Sequence, residues 1–369
     1  MRNFPEAFFD ITSLESTLNN APLFTRDMLK TAAAQVDQAR KNTHPMHISG
    51  IYSDVRVKIW PTPEKDGING VDIQWSERAL LIEQGEKAVP YLLNRCDGMA
   101  CETTLPLHGE TGKVLEVPAL DLGYVQKIKE MEEKWETSPH WANMQKLLAS
   151  TADRVQIKNI VCIALGTTER DPTRRSRHQH IVASSIARFL QAYYTNNSSA
   201  STPHLDVPVI THDPGYTAHD VHLLRTLTPP IQIVSNPHHF LAINPNTLVM
   251  CVSCPGFVAH LEIIADVLYP CKPAAILTDE IWDDMPWFAE GKVHLLDMWT
   301  PRVGLMLEGM SIVGVEEVLV EKGWEPKWPS GDEEAWGWLG SMILYARDDA
   351  VVVEDEVLIE ALAEVELID

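Results

Sequence analysis

The sequence predicts an α/β protein: a Rossmann-like, doubly wound, mostly parallel sheet with an α+β extension at the N-terminus. Two observations lead to this fold class. Short apolar runs end in glycine or other turn residues, as expected for strands that are covered on both faces. Helix-length segments with an apolar stripe separate these runs, and strands that alternate with helices form parallel neighbours joined by right-handed crossovers.

The central strand is the apolar run V-Q-I-K-N-I-V-C-I-A-L-G at residues 155–166. Four further strands are predicted at 207–211, 231–234, 247–252 and 274–277. Helices are predicted between them, and the clearest one covers about 178–194. These elements together predict a core at 151–285.

The flanking parts are less regular. Alternating residues at 55–59 and 71–75, with D-G and N-G dipeptides between them, predict an antiparallel hairpin. The remaining flanking elements are predicted as helices at 26–40, 76–83, 121–136, 141–148 and 357–365, and as strands at 293–298 and 351–353. We therefore divide the chain into an α+β extension at 1–150 that packs on the core, the core at 151–285, and a C-terminal part at 286–369. That last part completes the sheet and carries an acidic, Trp-rich segment.

Composition limits the classes of partner. The chain of 369 residues contains 45% hydrophobic and 22% charged residues, as soluble globular proteins do. Its 52 acidic residues exceed its 30 basic ones, which gives a formal net charge of -22. A protein this acidic repels phosphate backbones and anionic lipid, so we expect neither nucleic acid nor a membrane as the principal partner.

The six cysteines lack the spacing of a disulfide scaffold. The N-terminus lacks the basic start and apolar core of a secretory signal, so we expect reduced thiols and a location in the cytoplasm, the nucleus or both. The pair Cys251-x-x-Cys254 invites a zinc or redox interpretation. Because no second pair lies at finger-like spacing, we predict no metal site.

Three predicted strands end in residues that suit a ligand site: Gly166-Thr167, His212-Asp213 and Ser253-Cys254. Ligands of open α/β sheets bind outside the carboxyl ends of the strands, where the strand order reverses. Gly166 is a single glycine and lies far more than about 20 residues before Asp213, which disfavours a standard nicotinamide dinucleotide site. A methyltransferase-like nucleoside site, in which Asp213 holds ribose hydroxyls, stays open. So does the interpretation that Asp213-Pro214-Gly215 forms only a turn.

A basic loop stands out in this acidic chain. Arg170, Arg174, Arg175 and Arg177 precede or begin the predicted helix at 178–194. The arginines and the helix N-terminus could hold an anion between them. Alternatively, the loop is solvated and pairs with nearby acidic residues.

At these residues the chain resembles the SRR-like domain, the family of "sensitivity to red light reduced" proteins. Residues 164–167 (A-L-G-T) match a strand that ends in a G-x-G-[ST]-like turn, with the first glycine replaced, and Ser176 and Gln179 match the start of the following helix. Residues 213–220 (D-P-G-Y-T-A-H-D) match D-P-x-[FY]-[ST]-x-x-[DE], and residues 247–254 (T-L-V-M-C-V-S-C) match T-L-[FVL]-x-M-P-H-C with Val252 and Ser253 replacing its Pro and His.

The resemblance covers about 155–280, and the flanking parts look like lineage-specific additions of a fungal type. It implies a regulatory protein, since members are linked to light and clock signalling, haem metabolism and the cytoskeleton, and it brings no firm enzymatic activity. It adds Gln179 and Tyr216 to the candidate ligand-binding residues. The full candidate set is Gly166, Thr167, Arg177, Gln179, His212, Asp213, Tyr216, Ser253 and Cys254.

Three hypotheses about function follow. The first is a regulatory protein that binds a small anionic or nucleoside-type ligand at the strand ends. The second is an enzyme of the transferase type, similar to methyltransferases, in which a base such as His212 acts on the ligand. The third is a protein-interaction module that binds a protein partner through the Trp-rich segment. The residues identify neither a cofactor nor a catalytic group.

Overall fold

The structure is a computed structural model. It describes residues 8–10, 18–19, 21–40, 46–49, 56–59, 71–75, 91–95, 122–169, 175–197, 205–213, 215–252, 259–283, 288–290, 292–294, 298–314 and 337–348. The strands are β1 (Phe8–Asp10), β2 (Met46–Ser49), β3 (Arg56–Ile59), β4 (Val71–Trp75), β5 (Tyr91–Arg95), β6 (Asn159–Ile163), β7 (Val209–His212), β8 (Ile231–Ile233), β9 (Thr247–Cys251), β10 (Ala275–Asp279), β11 (Lys292–His294), β12 (Met310–Gly314) and β13 (Met342–Arg347). The α-helices are α1 (Arg26–Arg40), α2 (Leu122–Glu136), α3 (Pro139–Ala152), α4 (Arg175–Asn197), α5 (Ala218–Thr226), α6 (His238–Leu241), α7 (His260–Leu268) and α8 (Pro301–Leu307). Short 3-10 helices lie at Phe288–Glu290 and Gly337–Ser341.

A seven-stranded sheet forms the centre of the molecule, in the order β12-β13-β10-β9-β6-β7-β8. The five strands from β10 to β8 run parallel to one another, and β13 is antiparallel to both β10 and β12. The mostly parallel α/β sheet that the sequence predicts is therefore confirmed. All five strands predicted for the core lie next to one another in it.

Side chains of β6 alternate between two hydrophobic clusters. Ile160 and Cys162 point into the cluster formed with α2, α3, α4 and α5, whereas Val161 and Ile163 point into the cluster formed with α1, α6, α7 and α8. Every residue of β6 is consequently buried. Helices on both faces explain why this strand reads as a continuous apolar run with no apolar–polar alternation.

The pairing of the N-terminal strands differs from the prediction. β3 pairs with β2, and β4 pairs with β5, so the predicted hairpin between 55–59 and 71–75 is wrong. An alternating pattern identifies a strand but carries little information about its partner. Similarly, the strand predicted at 293–298 is present as β11, but it pairs with β1 in a separate two-stranded sheet.

Other elements were not predicted or lie beyond the described residues. β12, β13 and α8 were not predicted, and they add to the sheet and to one of its helical layers. The predicted helices at 76–83 and 357–365, the strand at 351–353, and Trp324, Trp328 and Trp336 lie outside the described residues. Trp338, from the same segment, is buried in the core.

The helices before the sheet pack directly on the core. α2 and α3 contribute Trp135 and Leu148 to the hydrophobic cluster that includes α4. The division predicted at 150/151 falls in the last turn of α3, and it stays a prediction. Among the described residues, no helix is long and apolar enough to span a lipid bilayer.

Candidate ligand site at the carboxyl edge of the sheet

The strands that precede the three candidate segments end at the same edge of the sheet. In the parallel register, Ile163 of β6 lies opposite His212 of β7 on one side and opposite Cys251 of β9 on the other. Strands β7 and β8 extend the sheet on one side of β6, and β9 and β10 on the other, so the strand order reverses between β6 and β9. The expected convergence of the strand ends is confirmed. Crevices at such reversal points bind ligands in open α/β sheets.

The segment after β6 makes a sharp turn. Gly166 has a φ of 75°, a left-handed conformation that favours glycine, and Ala164 has a φ of 58°. The Gly166 amide donates to Asp213 Oδ2 at 2.8 Å, and the Ser176 hydroxyl donates to the Gly166 carbonyl at 2.6 Å. Hydrogen bonds from the next strand end and from the start of α4 therefore hold this turn in place.

Asp213 forms the turn at the end of β7. Its Oδ1 accepts from the Gly215 amide at 2.6 Å, while its Oδ2 accepts from the Gly166 amide. A Cβ atom at Gly215 would lie 2.8 Å from Asp213 Oδ1, so a larger residue there would displace the carboxylate from this position. The turn-forming interpretation of Asp213 is thus correct. Each carboxylate oxygen can accept a second hydrogen bond, and the residue is half-exposed, so a ligand contact is compatible with the turn.

Asp220, on the first turn of α5, ties the two loops together. It is fully buried, and its carboxylate accepts from the amides of Thr168 and Thr217, both at 2.7 Å. The hydroxyls of Thr167, Thr168 and Thr217 also donate to it, at 2.7, 2.5 and 3.1 Å. In the sequence, Asp220 stood out only as the last residue of the family motif at 213–220. The T-x-x-D spacing of a capping box was the local pattern that could have identified it.

Arg177, on α4, contacts the loop that contains Thr167 and Thr168. Its Nε donates to the Thr168 carbonyl at 2.9 Å, and its guanidinium lies 4.9 Å from the centre of the Tyr124 ring. The Tyr124 hydroxyl donates to the same carbonyl at 3.2 Å. Arg177 is half-buried, and its side chain also interacts with the Tyr124 hydroxyl. Of the other arginines singled out, Arg170 and Arg174 lie outside the described residues.

Tyr216 belongs to a buried hydrogen-bond chain below the turn. The His180 Nδ1 faces the Ser176 carbonyl at 2.6 Å and therefore carries the proton, so Nε2 accepts from the Tyr216 hydroxyl at 2.7 Å. The Tyr216 oxygen in turn accepts from the Thr211 hydroxyl at 2.7 Å. Burial raises the pKa of Tyr216 well above its ordinary value, which keeps the hydroxyl protonated. Gln179 is also buried, in α4.

On the other side of the β7 end, four aromatic rings follow one another. His212 stacks on His239 with ring centres 4.5 Å apart, His239 lies 4.0 Å from Phe240, and Phe240 lies 6.0 Å from His260. We call these four residues the histidine layer. His212 is half-buried beside Asp213, whereas His239 is 1% exposed. His212 was predicted as a ligand-binding residue and as a possible base, but its stacking on His239 was not predicted, because nothing local shows that β7, α6 and α7 come together.

The part of the chain that contains this site is similar to a known protein family. Residues 131–283 match the SRR1 domain. This chain contains an SRR1 domain. The match extends from α2 through β10, so the SRR1 domain includes all five parallel strands, the carboxyl edge and the histidine layer. The resemblance to the SRR-like family is thereby confirmed.

No curated protein sequence matches the chain. Among solved structures, it is similar to two crystal forms of the MycE methyltransferase from the mycinamycin biosynthetic pathway, in complex with Mg and SAH. Both have a TM-score of 0.26 and 11% identity, and they cover 96% of this chain and 99% or 100% of the other. A likeness this low supports no conclusion about the function of the SRR1 domain.

The cysteine pair of the SRR1 domain is only partly described. Cys251 is disulfide-bonded, so the expectation of reduced thiols is wrong for this residue, while Cys162 and Cys271 are free. Ser253 and Cys254, both candidate ligand-binding residues, lie outside the described residues. Within the described ranges, no group of three or more His, Cys, Asp or Glu side chains is arranged to hold a metal ion.

The histidine layer should make the stability of the SRR1 domain depend on pH. Burial lowers the pKa of His239 well below its ordinary value, with smaller contributions from neighbouring histidines, and it lowers the pKa of His260 to about 3. The folded protein therefore holds both rings neutral, while the unfolded chain binds protons below its pKa of about 6.5. Stability is complete above that pH and is lost as the pH falls towards 3, by about 1.4 kcal/mol per pH unit for each histidine.

Urea unfolding at pH 7 and pH 5 tests this dependence. The wild type should lose about 2 kcal/mol more between these pH values than His239→Phe, which cannot take up a proton at this position. Wild type and variant contain the same carboxylates, so the pH dependence that carboxylates contribute cancels in the difference between the two proteins. Equal losses for both proteins would show that His239 is not held neutral by the fold.

Proposed function

We propose that this SRR1-domain protein is a regulatory protein that binds a small nucleoside-type ligand with an anionic group at the carboxyl edge of the sheet. The observation that carries the proposal is the meeting of the Gly166 turn and Asp213 beside the reversal of strand order between β6 and β9. Strands β8-β7-β6-β9-β10, numbered along the chain, have the order 3-2-1-4-5. This is the order in which nucleotide-binding α/β sheets begin.

The polar groups at this edge suit such a ligand. Asp213 can accept hydrogen bonds from sugar hydroxyls, which is the role of an acidic residue at this position in nucleotide-binding folds. The Thr167 amide makes no hydrogen bond among the described residues, and the half-buried Arg177 brings a positive charge to the same loop. These two donors favour an acidic group such as a phosphate or carboxylate.

A transferase is the second candidate function, and His212 is the observation that favours it. Its Nδ1 faces the Val234 carbonyl at 3.1 Å and therefore carries the proton in the neutral ring. Its Nε2 is then an acceptor, located beside the proposed ligand, as a general base requires. Transfer of a group from an S-adenosylmethionine-type donor to a second substrate, abolished in His212→Phe, would establish this alternative.

Thermal-shift measurements with nucleotides, S-adenosylmethionine, NAD and haem test the proposed binding. We expect at least one nucleoside-containing ligand to raise the unfolding midpoint, because a ligand that binds only the folded state stabilises it. No shift with any nucleoside-containing ligand at saturating concentration would overturn the proposal, and a shift with haem alone would point to a different ligand class.

Arg177→Ala should lower the affinity for the anionic ligand that stabilises the wild type by about 10-fold or more, because a charge-assisted hydrogen bond is lost. Arg188→Ala is the matched control. Arg188 lies on the same helix but pairs with Glu132, away from the carboxyl edge. Each variant is compared with its own unliganded midpoint, so a change in fold stability does not enter the result. Equal affinities for both variants would remove Arg177 from the site.

A further inference from the structure

The histidine layer contains a buried polar residue that the fold does not explain. Neither ring nitrogen of His239 has a hydrogen-bond partner in the described residues, although the side chain is almost fully buried. Burying an unpaired polar group destabilises a fold, and phenylalanine would stack on His212 without that cost. An imidazole at this position therefore indicates a hydrogen-bonding role towards a bound molecule.

His212 connects this buried ring with the ligand edge. It stacks on His239 with an angle of 16° between the ring planes, and it is the neighbour of Asp213 in the chain. Since its Nδ1 donates to Val234, its Nε2 offers only an acceptor. No partner of that nitrogen is found in the described part of the chain, so a bound group that faces it must be a hydrogen-bond donor.

The surroundings restrict the rest of that group. Phe240 and the ring planes of the layer favour a flat aromatic partner, and Phe240 belongs to a hydrophobic cluster that also includes Ile163 and Ala259. A charged group would be poorly solvated there. A neutral heteroaromatic ring with an exocyclic amino group meets these requirements.

We propose that the histidine layer is the subsite for the base of the ligand, and that it recognises an amino-substituted base of the adenine type. This inference rests on the proposed function, which places the sugar and the anionic group at Asp213 and Arg177. His212 accepts a hydrogen bond from the amino group, and His239 makes the second polar contact with the base.

Calorimetric titration with adenosine, inosine and ribose 5-phosphate tests the proposal. Inosine differs from adenosine by a carbonyl in place of the amino group, and ribose 5-phosphate has no base. Wild-type protein should bind adenosine at least about 10-fold more tightly than inosine, because a site built for a donor rejects its replacement by an acceptor. His212→Phe should remove this preference, and His239→Phe should weaken adenosine about 10-fold. Binding of ribose 5-phosphate should be unchanged in both variants.

His222→Phe is the matched control, because the same replacement is made at an exposed histidine of α5. Equal affinities of the wild type for adenosine and inosine, or unchanged adenosine binding in His239→Phe, would overturn the base subsite. The proposed function would still hold in that case, provided that ribose 5-phosphate or either nucleoside binds. Failure of all three probes to bind would count against both. The comparison of adenosine with inosine needs no variant, so it decides the question even if a substituted protein does not fold.

Discussion

Asp220→Ala should destabilise the protein by about 3–5 kcal/mol, because five hydrogen-bond donors lose the buried carboxylate that accepts from them. The carboxylate accepts two backbone amides and three hydroxyls, and Asp220 is completely buried. Loss of the helix cap costs about 1 kcal/mol, and each amide left unpaired in the interior adds about 1–3 kcal/mol. Urea unfolding at pH 7 measures the difference.

The same substitution should abolish ligand-induced stabilisation. Asp220 joins the loop at Thr167 and Thr168 to the loop at Thr217, and this connection brings the Gly166 turn next to Asp213. Without it, the polar groups of the proposed site lose their common support. A thermal-shift titration with the ligand that stabilises the wild type measures this second effect.

Two variants serve as controls for Asp220. Asp220→Asn keeps one acceptor oxygen and should fall between the wild type and Asp220→Ala. Asp27→Ala removes an exposed aspartate from the first turn of α1 and should change the free energy of unfolding by less than about 0.5 kcal/mol. If Asp220→Ala differed from Asp27→Ala by less than about 1 kcal/mol, the buried network would not be important for stability.

Asp266→Ala should cost about 3–5 kcal/mol, since it leaves a buried guanidinium without its counter-charge. Arg302 and Asp266 form an ion pair in which Nε lies 2.8 Å from Oδ1, and both side chains are buried. The other oxygen accepts from the amides of Leu23 and Phe24 at 2.7 and 3.0 Å. Asp266 on α7 therefore holds the segment before α1 as well as the arginine of α8. Chemical denaturation at pH 7 measures the loss.

The double variant Asp266→Ala, Arg302→Met separates the two contributions. It removes both charges and keeps most of the apolar stem of the arginine, so it should be more stable than Asp266→Ala alone. It should remain less stable than the wild type, because the amides of Leu23 and Phe24 still lack their acceptor. A double variant no more stable than Asp266→Ala would show that the unpaired charge is not the source of the loss.

Only part of the candidate site was predicted from the sequence. Gly166 and Asp213 were expected at one edge because each follows a parallel strand, and their hydrogen bond bears this out. The layer around His239 was not expected. Its members come from β7, α6 and α7, and only the folded sheet stacks them.

The pairing of the N-terminal strands was also not predicted from the sequence. Residues 71–75 were recognised as a strand from their alternation, yet their partner is β5 and not β3. Likewise, β13 was missed, although it separates β10 from β12 in the sheet. Strand pairing depends on which surfaces meet after the chain collapses, and this information is spread over distant segments.

The sequence by itself determined the parallel core and the edge at which its polar residues gather. Those features follow from local periodicity, because a strand covered on both faces must be apolar throughout and its carboxyl end must lead into a loop. Only the tertiary structure decided the strand order, the fivefold hydrogen bonding of Asp220 and the stacking of His212 on His239. The physical reason is that these contacts join residues far apart in the chain, and long-range packing, which no local pattern encodes, selects their partners.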